Sequence, residues 1–237
     1  MALPLYLAQT AAEMAGNPHS GKLAWMACHF SSGGKGLSNL PEMLPAGAML
    51  ILDDRTPLDG HDPALIAAQL SEVIAGQRCE SLLLDFQRPH IPGQQELAKL
   101  LTASLPCPVG VSEIYARALA CPVFLPPVPP DQCLSDHLTP WQGREIWLEA
   151  AMEGITLTLT ESGCSLEALY DFPKDGLAEE QFHCHYTVET AAESAIFRLW
   201  RTRTDLENLL KEAEALGITK AIGLWQELGE VKYRLRQ

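Results

Sequence analysis

Six carboxylates stand where a short apolar run ends: Asp53 and Asp54 after Met49–Leu52, Asp85 after Leu82–Leu84, Glu113 after Val109–Val111, Glu149 after Ile146–Leu148, and Glu227 after Ala221–Trp225. Acidic side chains gathered on one rim repel each other, which raises the pKa of some of them. A carboxyl kept protonated can then give up its proton beside a carboxylate that supports a developing cation, the pairing used to split glycosidic bonds. Asp85, Glu113 and Glu149 are therefore the candidate catalytic acids. The bland alternative, helix capping and rim ion pairs, is the more frequent use of any single one of them.

Two arginines follow the same pattern. Arg55-Thr56-Pro57 and Arg88-Pro89-His90 each come after a strand ending in Asp. Each places a guanidinium where bidentate bonds would hold a neighbouring carboxylate ionised, Asp53 in one case and Asp85 in the other. Asp53, Asp54, Arg55, Gln87, Arg88, Trp225 and Glu227 are thus expected to contact a ligand. Trp25, Trp147 and Trp225 offer faces for stacking on sugar rings, although core packing is the commoner use of tryptophan.

Other groups offer further chemistry. Ser31-Ser32-Gly33-Gly34-Lys35-Gly36 could present backbone N–H groups to a phosphate, but it lacks the GxxxxGK[ST] spacing and reads better as a rim loop. His183 and His185, with Glu189, would lie on one strand face and could hold a metal, yet histidines of an exposed strand are more often simply solvated. Cys28 or Ser31 beside His29 would make a nucleophile only if folding brought them together. No metal and no cofactor is expected.

The elements that position these residues repeat one unit, a short apolar strand, a polar residue at its C-terminal end, then a loop or helix. Besides the five runs above, Leu23–Phe30, Val123–Leu125 and Leu5–Ala8 complete a set of eight. Continuous apolar runs mark strands buried on both faces, as in a parallel sheet covered by helices. Asp62-Pro63 opens a helix with Leu65, Ile66, Leu70, Val73 and Ile74 on one stripe. Gln95–Leu105 is a second helix. Thr204–Glu207 reads as a capping box for a third, stopped by Gly217. The spacing predicts an α/β fold, a (β/α)8 TIM-barrel-like domain over residues 1–237.

Residues 154–201 break the rhythm. Ile155–Thr160, Phe182–Glu189 and Ala195–Trp200 alternate like antiparallel strands joined by polar turns, which predicts a β-hairpin insertion before the last helix and strand. A second count takes strands from this insertion into the barrel and drops Leu5–Ala8.

The run Glu80-Ser81-Leu82-Leu83-Leu84-Asp85-Phe86-Gln87 resembles the fourth-strand motif DGxDxDxE of family-18 glycoside hydrolases, the chitinase-like barrels. Asp85 matches the last Asp, Phe86 its aromatic neighbour and Gln87 the catalytic Glu. Glu80-Ser81 replace the opening Asp-Gly, and Leu83 replaces the middle Asp. The family's SxGG lies on its third strand, whereas Ser32-Gly33-Gly34 follows the second strand here. The family also carries a β-rich insertion after strand seven and often a Trp on strand eight, which Trp225 would match. The resemblance implies a carbohydrate-directed barrel in which a Glu protonates the glycosidic oxygen while the substrate's acetamido group attacks, steered by the Asp. Gln87 has no such proton to give, so catalysis would fail or pass to another rim carboxylate such as Glu113 or Glu149. Two further classes stay open, a non-catalytic ligand-binding or regulatory barrel and a metal- or phosphate-dependent hydrolase.

Composition narrows the partners. Seventeen basic residues against thirty acidic ones give a net charge of −13, which disfavours nucleic acid and anionic membrane surfaces and leaves a small-molecule or oligosaccharide ligand, neutral or cationic. Seven cysteines without a CxxC pair, and no basic-then-apolar leader, point to reduced thiols in the cytoplasm.

Overall fold

The computed structural model describes residues 3–16, 22–34 and 36–229. Eight parallel strands close into a barrel: Leu5–Gln9, Leu23–Phe30, Met49–Asp53, Ser81–Asp85, Val109–Ser112, Val123–Leu125, Ile146–Glu149 and Lys220–Leu224. They are numbered here one to eight in that order. Strand one closes the barrel, pairing with strand eight from Leu5↔Ala221 to Ala8↔Leu224 and with strand two from Leu7↔Leu23 to Gln9↔Trp25. The eighth barrel strand is therefore supplied by the chain's beginning and not by the insertion. The short segment Leu37–Ser38 adds an antiparallel strip at the rim of strand two.

Alternation along the strands separates two apolar sets. Tyr6, Ala8, Ala24, Met49, Ile51, Leu83, Phe124, Trp147 and Ile222 point inward and fill the barrel, while Leu7, Leu50, Leu52, Leu82, Leu84, Val111 and Leu148 point outward to the helices. Because the side-chain period is two, the inward face of strands three, four and seven continues from Ile51, Leu83 and Trp147 to Asp53, Asp85 and Glu149. Trp147, fully buried, is the largest filler. It fits because Gly110 lies opposite: a Cβ there would come within 2.2 Å of the indole.

The helical layer is uneven. Pro63–Gln77, capped by Asp62 through the Ala64 amide, buries Ile66, Leu70 and Ile74, and Gln94–Ser104 buries Leu97 and Leu101. Leu65 of the expected stripe is exposed instead, as is Leu100 on the second helix. Among the described residues, strands one, five, six and eight are followed by short helices, Ala11–Gly16, Glu113–Ala116, Leu134–Leu138 and Trp225–Leu228.

After strand seven comes a five-stranded antiparallel sheet, Gly154–Thr160, Gly163–Ala168, Leu177–Glu179, Cys184–Ala191 and Ser194–Trp200. The helix Arg203–Ala215 returns the chain to strand eight. Its capping box is Thr202 with Asp205, two residues before the expected start, because Asp205 serves Thr202 as the acidic partner three residues on; just before it Arg201, fully buried, donates to the carbonyls of Val128, Pro129 and Phe182. Among the described residues no helix is long and apolar enough to cross a membrane.

Candidate functional site

A cavity of about 410 Å³ opens at the C-terminal end of the barrel, a volume within the range of small-ligand sites, roughly 300–1,000 Å³. Its floor is the top layer of barrel filling, Met26, Ile51, Leu83, Phe124 and Ile222. Its polar wall is Asp53, Asp54, Arg55, Asp85, Gln87, Arg88 and Glu149. Of the six carboxylates singled out by position, four line this cavity and two do not.

Strands three and four place the first pair. Asp53 and Asp85 are register partners in adjacent parallel strands. Arg55 closes back on Asp53, with Nε donating to Oδ2 at 2.7 Å and its backbone N–H to Oδ1 at 3.0 Å. The expected second pairing does not form. Arg88 turns to Asp54, Nε to Oδ2 at 3.5 Å, and Asp85 is left with the carboxamide of Gln87, which donates to Oδ1. Burial, with Asp53 and Asp54 adding their charges, raises the Asp85 pKa against the Gln87 hydrogen bond and the pull of Arg55. Asp85 is thus less readily ionised than an ordinary aspartate, the reverse of what an arginine partner would give.

Asp54 is a scaffold residue. It is 4% exposed and accepts from the backbone N–H groups of Gln87 and Arg88 at 3.2 and 3.1 Å, and from Gln94 Nε2 at 3.2 Å. A carboxylate at the end of strand three therefore holds the loop after strand four. Tyr115 fixes the next residues, donating to the Arg88 carbonyl at 2.6 Å and accepting from the Ile91 N–H at 3.2 Å. Gln94 and Tyr115 escaped the sequence reading; no motif marks a residue whose task is to hold another loop.

Glu149, at the end of strand seven, faces Asp85 across the cavity. Burial, reinforced by the charges of Asp85, Glu153 and Glu227, pushes its carboxyl up to about 7. Glu153 is raised as well, chiefly by burial.

Three expected site residues lie elsewhere. Glu113 sits in the first turn of Glu113–Ala116, off the cavity wall, because the inward face of strand five ends at Ser112, which hydrogen-bonds to the Leu84 carbonyl and the Phe86 N–H. Trp225 is the first residue of a helix and not a strand residue, and packs half-buried against the outer core. Glu227, on the same helix, accepts from the Met152 N–H and acts on Glu149 only as a neighbouring charge. Trp25 and Trp147 are buried, with no face free for a ligand.

The remaining candidates resolve as structure. His183, in a turn before its strand, meets Glu212 at 2.6 Å, and His185 meets Asp205 at 2.8 Å. Glu189 pairs with Arg198. Among the described residues no three potential ligands gather for a metal ion. Cys28 is fully buried, and burial pushes its thiol up to about 12, so it does not form a thiolate nucleophile near neutral pH. Ser31–Gly34 form a rim turn; Lys35, which the phosphate reading required, lies outside the described residues.

No protein-family model and no curated protein matches this chain. Solved structures do. A family-18 chitinase from Cycas revoluta in complex with (GlcNAc)4 aligns over 98% of this chain and 97% of its own, with TM-score 0.59 at 10% identity. A chitinase from Chromobacterium violaceum aligns over 99% and 98%, with TM-score 0.56 at 9% identity. The Bacillus cereus spore cortex-lytic enzyme SleL aligns over 99% of this chain and 73% of its own, again with TM-score 0.56 at 9% identity. At such identities what is shared is the fold alone, a closed eight-stranded (β/α)8 barrel, to which this chain adds the antiparallel sheet after strand seven.

Proposed function

We propose that this chain is a glycoside-hydrolase-like, carbohydrate-directed barrel that binds a sugar residue in the rim cavity and does not cleave it by the family-18 route. The supporting observation is the wall of strand four. Leu83, Asp85 and Gln87 all line the cavity, and the Gln87 carboxamide donates to Asp85. The resemblance assigns to position 87 the acid that protonates the glycosidic oxygen. A carboxamide keeps the shape and the hydrogen bonds of that acid but has no proton to transfer, and general-acid help is worth about 10²–10⁴ in rate. Asp85 and Gln87 then orient a ligand, as do Arg55, Arg88 and Asp53 at the rim.

Glu149 favours a second reading. Its carboxyl is raised to about 7, where it can both give and take a proton near neutral pH, so a hydrolase with Glu149 as its acid is the alternative. Product release from N-acetylglucosamine oligomers separates the two. The first reading expects none from the wild type, little from Gln87→Glu, since Leu83 also removes a tuning charge, and weaker oligosaccharide binding by Asp85→Ala. Release at an ordinary enzymatic rate that is lost in Glu149→Gln would replace it with the second.

The acidic balance of the chain supports a neutral or cationic small ligand over nucleic acid or an anionic membrane, and seven free cysteines support a reducing, cytoplasmic setting.

A further inference from the structure

Resting on that reading of the cavity, we propose that its ligand carries a positive charge, and that the site takes an amine-bearing carbohydrate in its ammonium form in preference to the neutral N-acylated counterpart.

The case comes from the charges on the wall. Both cations lining the cavity are engaged by carboxylates, Arg55 by Asp53 and Arg88 by Asp54. Asp54 is further satisfied by two backbone N–H groups and Gln94. That leaves Asp85, whose partner is the neutral amide of Gln87, and Glu149, which has no hydrogen bond or ion pair to the described residues. The next titratable groups acting on Glu149, namely Glu153 and Glu227, are also acidic. The floor between is apolar, with Ile51, Leu83, Phe124 and Ile222, so charges there are weakly screened.

A neutral ligand must therefore leave Asp85 and Glu149 either unpaired or protonated. An ammonium group supplies the missing countercharge, and the hydroxyls of a sugar can take up the remaining acceptors. Arrival of a cation favours the ionised carboxylate, so Glu149 gives up its proton on binding. Each unit by which its pKa falls corresponds to a tenfold gain in affinity at a pH above both values, and to part of that gain at a pH between them.

Calorimetry on the full chain at about pH 6 decides this, using glucosamine oligomers and N-acetylglucosamine oligomers of equal length in buffers of different ionisation enthalpy. The amine form is expected to bind at least about tenfold tighter, with release of up to one proton and weakening as salt is raised. Glu149→Gln and Asp85→Asn should each reduce the preference while both oligomers still bind. Equal or tighter binding of the acetylated oligomer without proton release would overturn the charge preference and leave the carbohydrate reading standing. Binding of a simple alkylammonium but of neither oligomer would do the reverse. A preference undiminished in either variant would remove it from this cavity, and a cavity that binds none of the three would end both proposals.

Discussion

The two ends of the barrel interior carry similar residues and treat them differently. At the N-terminal end, Lys22 pairs with Glu80, and Lys220 lies 3.8 Å from the same carboxylate. The Lys220 ammonium also stands 4.4 Å from the Trp147 ring centroid and 5.3 Å from that of Tyr6. Glu145 accepts from Trp147 Nε1 at 3.0 Å and from Thr219 Oγ1 at 2.9 Å. Every one of these charges has an opposite charge, a ring face or a donor. At the C-terminal end, Asp85 and Glu149 have neither a cation nor a full set of donors, and both are pushed toward the protonated form. Balanced charge stabilises a fold. On the reading proposed above, imbalance kept in a cavity marks the end where a ligand completes the structure.

Truncation should separate the ends most sharply. Trp147→Ala empties the barrel base and removes both the Lys220 contact and the Glu145 hydrogen bond, and should cost about 3–5 kcal/mol in urea unfolding. Asp85→Asn at the other end should leave stability within about 1 kcal/mol while weakening ligand binding. A large stability loss from Asp85→Asn would place that residue among the scaffold groups and erase the contrast.

Asp54→Ala is expected to come next, at about 2–3 kcal/mol, because it leaves the Gln87 and Arg88 N–H groups and Gln94 without an acceptor. Ligand binding should fall with it, since the strand-four loop loses its anchor. A variant as stable as wild type would contradict the scaffold role.

Glu149→Gln should act in the opposite direction, and only at high pH. The folded pKa, about 7, lies above the ordinary carboxyl value of 4.5. Folding therefore binds the proton more tightly, and wild type loses stability as pH rises from about 4.5 through about 7. The glutamine variant lacks that loss. Melting curves should show it more stable than wild type by on the order of 2 kcal/mol at about pH 8 and nearly equal to it at about pH 4. A stability difference that does not change between those pH values would remove Glu149 from the unbalanced end.

The smallest effect belongs to Lys22→Ala, less than about 1 kcal/mol, because the Lys22–Glu80 pair is partly exposed and screened by solvent.

Much of this arrangement was legible in the sequence because a buried strand writes itself as a short apolar run, and the residue after such a run must reach the rim. By that rule Asp53, Asp85 and Glu149 come to line the rim cavity, and the run Leu5–Ala8 marks the short strand Leu5–Gln9. It failed at Glu113 and Glu227 for one reason. Strands five and eight pass straight into helices at Glu113 and Trp225, and a change of backbone period turns the next side chain away from the cavity. It also misassigned Arg88, since nothing in a linear pattern tells whether a guanidinium turns to the carboxylate on its own strand or on the neighbouring one. The capping box lies two residues earlier than expected because Thr202 finds in Asp205 the same kind of acidic partner that Glu207 would offer Thr204, and the linear pattern does not choose between the two.

Carboxyl-carbon NMR of the full chain, titrated with and without an oligosaccharide of N-acetylglucosamine or glucosamine, tests the unbalanced rim most directly. One glutamate should titrate near pH 7, vanish in Glu149→Gln, and shift when the sugar is added. Side-chain carboxyls that all titrate in the ordinary range and do not move with either sugar would contradict the account.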